Sequence, residues 1–355
     1  MKQGIRDQSS FHDGHQDGLE PVKPVDLNEI DSFDAMLRAF ADASFGARRL
    51  GEAADVFETM VRDPQCGVVL TLSGAMTVAK LSLVVCEMID RGYVQAIVST
   101  GALMTHGLVE AGGSTHFKYR PSMSDKELFE KGYDRVYDTL ELEKNLDEVE
   151  DFVREVLIGL PEDVTLSSQM LCEIMGKALI ERFPDARGIL PSAVNKGVPI
   201  FIPAFSDSEM GLDFAVHNLM RNSQGKPPRV FDPFLDLSAY EKWARAQERM
   251  GIFTIGGGVP RNWAQQISPY VEIAAFRTGE PLDELLRFRY GVRICPDSEH
   301  LGGLSGCTYS EGASWGKFIP EEDGGRYAEV LSDATIAWPL IIKAVMERIP
   351  EKPSK

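Results

Sequence analysis

The sequence predicts a doubly wound α/β fold: a mostly parallel sheet with helices on both faces and a helical extension at the N-terminus. Three observations predict it. Short runs such as Cys66-Gly-Val-Val-Leu-Thr-Leu are apolar at every position, as strands buried on both faces must be. Each run ends in a turn of small residues, and a stretch with helical spacing follows most of them. No fixed-period repeat and no clear linker interrupts the alternation, so residues 23–350 are expected to form one domain.

Residues 1–22 are rich in Gln, Asp, Gly and His and almost free of apolar side chains, so burial cannot offset their ordering entropy; a mobile tail is expected there. His12 and His15 in that segment read as solvated rather than metal-binding. Over residues 31–60 the apolar positions Phe33, Met36, Leu37 and Phe40, then Ala53, Val56, Phe57 and Met60, recur with helical spacing, so two helices should precede the first strand. That strand begins at Cys66 and breaks at Ser73-Gly74, with a helix expected over 77–91. A second strand over 95–99 runs into Thr100-Gly101. Helices are expected over 146–157 and 167–183, and a strand over 199–204 ends at Phe205-Ser206-Asp207. A helix over 239–249 leads to a strand that closes on Gly256-Gly257-Gly258, and the apolar run at 270–276 reads as another short strand.

Composition limits the function. The formal charge of −17 argues against a nucleic-acid partner, because phosphate neutralisation needs surplus Lys and Arg, while it would welcome a cationic ligand. Five scattered cysteines without a C-x-x-C spacing indicate neither a disulfide framework nor a zinc site. No run reaches the roughly 18 apolar residues of a membrane span, and a cytoplasmic protein is expected.

In open parallel sheets, ligands bind outside the carboxyl ends of strands. Four loops suit that position: those at Ser73-Gly74, Thr100-Gly101, Phe205 to Ser208, and Gly256-Gly257-Gly258. The three consecutive glycines let backbone approach a bulky ligand, and Asp207 could accept hydrogen bonds from a ribose or simply cap a helix. Near the C-terminus, Glu311, Trp315 and Lys317 place a carboxylate, an indole and an amine within seven residues. A lysine flanked by Trp315 and Phe318 can be desolvated into a nucleophilic neutral amine.

Ser314-Trp315-Gly316-Lys317, followed by Ser332-Asp333-Ala334-Thr335 and preceded by Gly256-Gly257-Gly258-Val259, closely resembles the deoxyhypusine synthase family, and the likeness runs in order from about Val68 to Pro339. The resemblance implies NAD-dependent oxidation of spermidine and capture of its four-carbon fragment as an imine on Lys317. It implies Trp315 along the polyamine channel and Glu311 on a substrate ammonium, and contacts to NAD from Gly74, Thr100, Gly101, Asp207, Gly257, Gly258, Asp333 and Ala334. It further implies a homotetramer with active sites at subunit interfaces.

Departures from the family pattern redirect the acceptor. Two histidines after the glycines become Asn262-Trp263, an acidic pair becomes Thr105-His106, and an Asp-Gly-Ser-Asp-Ser-Gly segment becomes Leu301-Gly302-Gly303-Leu304-Ser305-Gly306. His106 and His300 are candidates to restore acid/base capacity, and with Trp263 they complete the expected substrate contacts. The expectation is therefore homospermidine synthesis from spermidine and putrescine. The alternatives are deoxyhypusine synthesis on a lysine of a translation factor and a noncatalytic polyamine or NAD sensor.

Overall fold

The computed structural model describes residues 8–282 and 284–350. Residues 1–7 of the expected tail lie outside them. After the tail, Lys23 is tied to Asp42 by its backbone N–H (3.0 Å) and by its ammonium (2.6 Å).

Helices α1 (Phe33–Asp42) and α2 (Phe45–Arg62) precede β1 (Cys66–Leu72), as expected. Ser32 starts α1 by accepting the Ala35 N–H at 3.0 Å. Then come α3 (Ser82–Asp90), β2 (Ala96–Ser99) and α4 (Gly101–Ala111). A small antiparallel sheet follows, built of β3 (Phe117–Lys118), β4 (Tyr133–Val136) and β5 (Thr139–Leu142), with α5 (Asp125–Glu130) between β3 and β4. Helix α6 (Glu143–Gly159), β6 (Thr165–Leu166), α7 (Ser168–Arg182) and α8 (Ile189–Lys196) lead to β7 (Ile200–Phe201). The chain continues through α9 (Glu209–Ser223), β8 (Val230–Phe231), α10 (Pro233–Arg245), β9 (Arg249–Ile255), α11 (Gly258–Gln265) and α12 (Ile267–Thr278). It ends with β10 (Phe288–Ile294), α13 (Tyr309–Ser314), β11 (Arg326–Val330) and α14 (Ala334–Arg348).

Six strands make one sheet in the order β11-β10-β9-β1-β2-β7, every pairing parallel. Renumbered along the chain from the other edge, this is the 3-2-1-4-5-6 order of dinucleotide-binding sheets, with the reversal between β1 and β9. Alternate residues feed two cores. Val68 and Leu70 pack with α1, α2, α3 and α14 on one side, whereas Val69, Ala96 and Val98 pack with α10, α11 and α12 on the other. At the seam, the hydroxyls of Thr71 and Thr254 satisfy each other at 2.9 Å in full burial.

Two readings of the sequence are corrected. The run at 270–276 is the middle of α12: Ile267 and Val271, one helical turn apart, are buried, while Ile273 and Phe276 point outward. The apolar stretch imitated a strand because Ile273 and Phe276 are apolar yet lie on the exposed side of the helix. The strand expected over 199–204 contracts to Ile200–Phe201, since Pro199 and Pro203 offer no N–H to a ladder. Among the described residues no helix is long and apolar enough to cross a membrane.

Candidate active site

All four loops singled out from the sequence lie at carboxyl ends of neighbouring strands: β1, β2, β7 and β9. At the reversal, Ser73 donates its hydroxyl proton to the Gly257 carbonyl, and Thr100 donates to the Gly74 carbonyl at 3.0 Å. Gly74 and Gly256 adopt φ of +72° and +75°, which side chains resist. Gly101 opens α4 so close to Ser208 that an added Cβ would lie 2.3 Å from its Oγ. Ser208 itself accepts the Gly211 N–H at 3.2 Å to start α9, so the N-termini of α4 and α9 converge. A Cβ at Gly257 would meet Ser305 Cα at 2.5 Å, whereas Gly258, at φ +61°, faces open space. A reversal of strand order, tight glycine turns and helix N-termini are the features a dinucleotide crevice requires, and they fit the NAD that the resemblance implies.

Gly258 also belongs to a second cleft, of about 230 Å³, lined by Arg261, Asn262, Gln265, Leu304, Cys307, Glu311, Trp315 and Lys317 among others. Lys317 is fixed through its backbone: its N–H donates to Gly312 O at 3.1 Å, and its carbonyl accepts from Phe288 N at 2.9 Å. Its side chain is buried, only 8% of the residue being exposed. The ammonium lies 5.7 Å from the Trp315 ring centroid and donates to Asn262 Oδ1 at 3.4 Å. Burial is the main cause that pushes its pKa below the usual lysine range; Arg261 adds to the effect, and Cys307 and Glu311 oppose it. The cleft thus holds an amine biased toward its neutral, nucleophilic form beside an indole face and a carboxylate.

The predicted residues separate into groups. Lys317, Trp315 and Glu311 share the Lys317 cleft. Gly74, Thr100, Gly101, Gly257 and Gly258 surround the reversal. Asp207 is exposed after β7, and Asp333 and Ala334 follow β11, two strands beyond β9 and so roughly 10 Å across the sheet. The Asp333 carboxylate caps α14, accepting the Thr335 N–H at 2.8 Å. Trp263 turns away from the cleft and packs against Phe201 and Tyr240, at centroid distances of 5.6 and 5.0 Å. His300 is exposed on the loop after β10, and His106 is buried against Glu141 at 2.9 Å; neither lines the Lys317 cleft.

Sequence reasoning missed Arg261 and Gln265. Both are over nine-tenths buried, and Arg261 Nε and Nη2 and Gln265 Nε2 meet no hydrogen-bond partner among the described residues. The available signal was helical spacing, because 258, 261, 262 and 265 share one face of a helix that starts at the third glycine.

The family model described as deoxyhypusine synthase matches residues 35–345. A protein named "Probable deoxyhypusine synthase" from Methanosarcina thermophila is 32% identical over 332 residues, covering 94% of this chain and 96% of the relative. A "Deoxyhypusine synthase-like protein" from Chlorobaculum parvum is 34% identical over 323 residues, covering 91% and 88%. Among solved structures, a "putative deoxyhypusine synthase from Entamoeba histolytica" superposes with a TM-score of 0.58 at 15% identity, covering 91% of this chain and 96% of that one. At that identity the likeness speaks for the fold.

Proposed function

This chain belongs to the deoxyhypusine synthase family, and from that membership we propose that it transfers an aminobutyl group between amines through an imine on Lys317, with NAD as cofactor. The carrying observation is the state of Lys317: a buried amine, its pKa lowered, in a cleft continuous with the strand-order reversal through Gly258. Simple binding needs no desolvated lysine, so this observation favours an enzyme over a sensor of polyamine or NAD.

NAD supplies reversible hydride transfer: a hydride leaves the donor carbon bonded to nitrogen and later returns to the product imine. The protein's tasks are binding and covalent capture. Glu311 holds the far ammonium of the four-carbon fragment, and the Trp315 face accepts the cationic chain. The neutral Lys317 amine adds to the oxidised carbon and 1,3-diaminopropane departs. An acceptor amine then adds to the Lys317 imine, the Lys317–carbon bond breaks, and reduction leaves a secondary amine on the acceptor.

The acceptor proposed is putrescine, giving homospermidine from spermidine. Support comes from Leu304, which lines the cleft, and from Leu301 before it in the chain, at positions where the family pattern carries acidic residues. Deoxyhypusine synthesis on a protein lysine is the second reading, favoured by the names of the archaeal relatives. A homotetramer belongs to the proposal, supported by Leu212, Val216, Leu219 and Met220, exposed along one face of α9.

The test is incubation with NAD, labelled spermidine and putrescine, followed by borohydride reduction. Label should be trapped on the chain and absent in Lys317→Ala, and homospermidine should accumulate in the untrapped reaction. Label on an added translation factor instead would select the second reading. No trapped adduct on folded, NAD-loaded protein overturns both.

A further inference from the structure

Away from the Lys317 cleft, the structure buries a carboxylate between two imidazoles. His106 comes from α4, His116 from the position immediately before β3, and Glu141 from β5. Glu141 is fully buried, and His106 and His116 are 7% and 8% exposed. Glu141 Oε2 lies 2.9 Å from His106 Nδ1 and 2.6 Å from His116 Nε2, and the three donor atoms lie within 4.8 Å of one another. The other carboxylate oxygen is already engaged: Oε1 accepts from Asn145 Nδ2 at 2.8 Å and from the Leu142 N–H at 2.9 Å. Those two bonds turn Oε2 toward the imidazoles.

His116 Nε2 makes no hydrogen bond among the described residues despite its nearness to Oε2, so the ring nitrogen is aimed beside the carboxylate oxygen rather than at it. Proximity without hydrogen-bond alignment is the relation between two ligands of one ion. We propose that His106, His116 and Glu141 form a binding site for one divalent transition-metal ion of the zinc type, tying α4 to the β3–β5 sheet. Two imidazoles and one carboxylate are the donor set of such ions. A tetrahedral ion with bonds of about 2.0–2.1 Å holds its ligands about 3.3 Å apart, so the pairs at 2.9 and 2.6 Å must open by roughly 0.4 and 0.7 Å. Asp134 stands directly opposite Glu141 in the β4–β5 ladder and is exposed; it offers an entry route and a further oxygen.

Binding through Nε2 leaves the His116 proton on Nδ1, where Lys80 Nζ now sits at 2.6 Å. Lys80 is half-exposed and also bonds Glu110 at 2.7 Å, so it can withdraw toward that partner. Lys80 therefore competes with the ion, and the protons displaced from the ligands pass to solvent.

The experiment uses the full chain after chelation and dialysis. Zn²⁺ is titrated by calorimetry, and Co²⁺ is followed by its visible ligand-field absorption. One ion per chain is expected, with affinity about 100-fold weaker in His116→Ala, at least about tenfold weaker in Glu141→Gln, and stronger in Lys80→Met. Glu141→Gln and Lys80→Met decide the matter if His116→Ala fails to fold. Replacing both His12 and His15 by Ala must leave the affinity unchanged. Absence of stoichiometric binding by the folded chain, or equal affinity across the Glu141 and Lys80 variants, overturns the proposal.

Discussion

Gly257→Ala should cost about 1–3 kcal/mol of stability, the usual penalty for forcing a methyl group into filled space. The new Cβ would lie 2.5 Å from Ser305 Cα, whereas carbon atoms in contact settle about 3.5–4.0 Å apart, so one backbone segment must retreat by about 1 Å or more. Neither segment is free to yield. The Ser305 carbonyl accepts from the guanidinium of Arg293, and the Gly257 carbonyl accepts from Ser73. A left-handed backbone is not the cause, because φ at Gly257 is −177°. Gly258→Ala provides the contrast: with φ +61° and nothing within 4 Å, its cost is conformational, about 1–2 kcal/mol, and leaves Ser305 in place. Urea unfolding should register both losses. NAD titration should show affinity reduced at least about tenfold, or 1.4 kcal/mol, in Gly257→Ala. A Gly257→Ala protein with stability within about 0.5 kcal/mol of the parent and unaltered NAD affinity would refute the close-packed glycine turn as the basis of the crevice.

Arg261→Met removes a buried guanidinium with unpartnered nitrogens, so thermal unfolding of the ligand-free protein should show a gain of about 1 kcal/mol or more; a loss of that size would mean the charge is compensated. The same change lifts one of the influences that depress the Lys317 pKa, so the pH profile of borohydride trapping should move to higher pH, and Glu311→Gln should move it lower. Burial, followed by Glu150, Glu209 and Asp147, pushes the Asp213 pKa from the usual 3.8 up to about 6. A carboxyl group raised in the folded state contributes stability that is complete below its unfolded pKa and lost as pH rises through the folded one. Asp213→Asn should accordingly be more stable than the parent at pH 7 and flatter between pH 4 and 6 in denaturant titrations; an unchanged slope would contradict the raised pKa.

Much of the fold was legible in the sequence because strands buried on both faces must be apolar throughout, and that requirement is local. The runs at Cys66 and at 251–255, with their glycine turns, are read without knowing what they pair with. Lys317 was legible as a candidate only through its neighbours Glu311 and Trp315 and the order of motifs around it. Strands β10 and β11 were not read, because Phe288-Arg-Tyr-Gly-Val-Arg-Ile and Arg326-Tyr-Ala-Glu-Val carry charges that find their partners only in the folded chain: Arg293 pairs with Glu329 across the ladder at 2.8 Å. The same limit applies to the sites. Local sequence determined a parallel sheet, glycine turns at its strand ends and a lysine beside an indole. Tertiary structure alone decided that β1 and β9 meet at the reversal, that Trp263 faces Phe201 and Tyr240 while its neighbour Asn262 faces Lys317, and that His106, His116 and Glu141 converge. The physical reason is that strand order and the facing of adjacent side chains are set by long-range packing, which sums contacts between segments that no single stretch of chain contains.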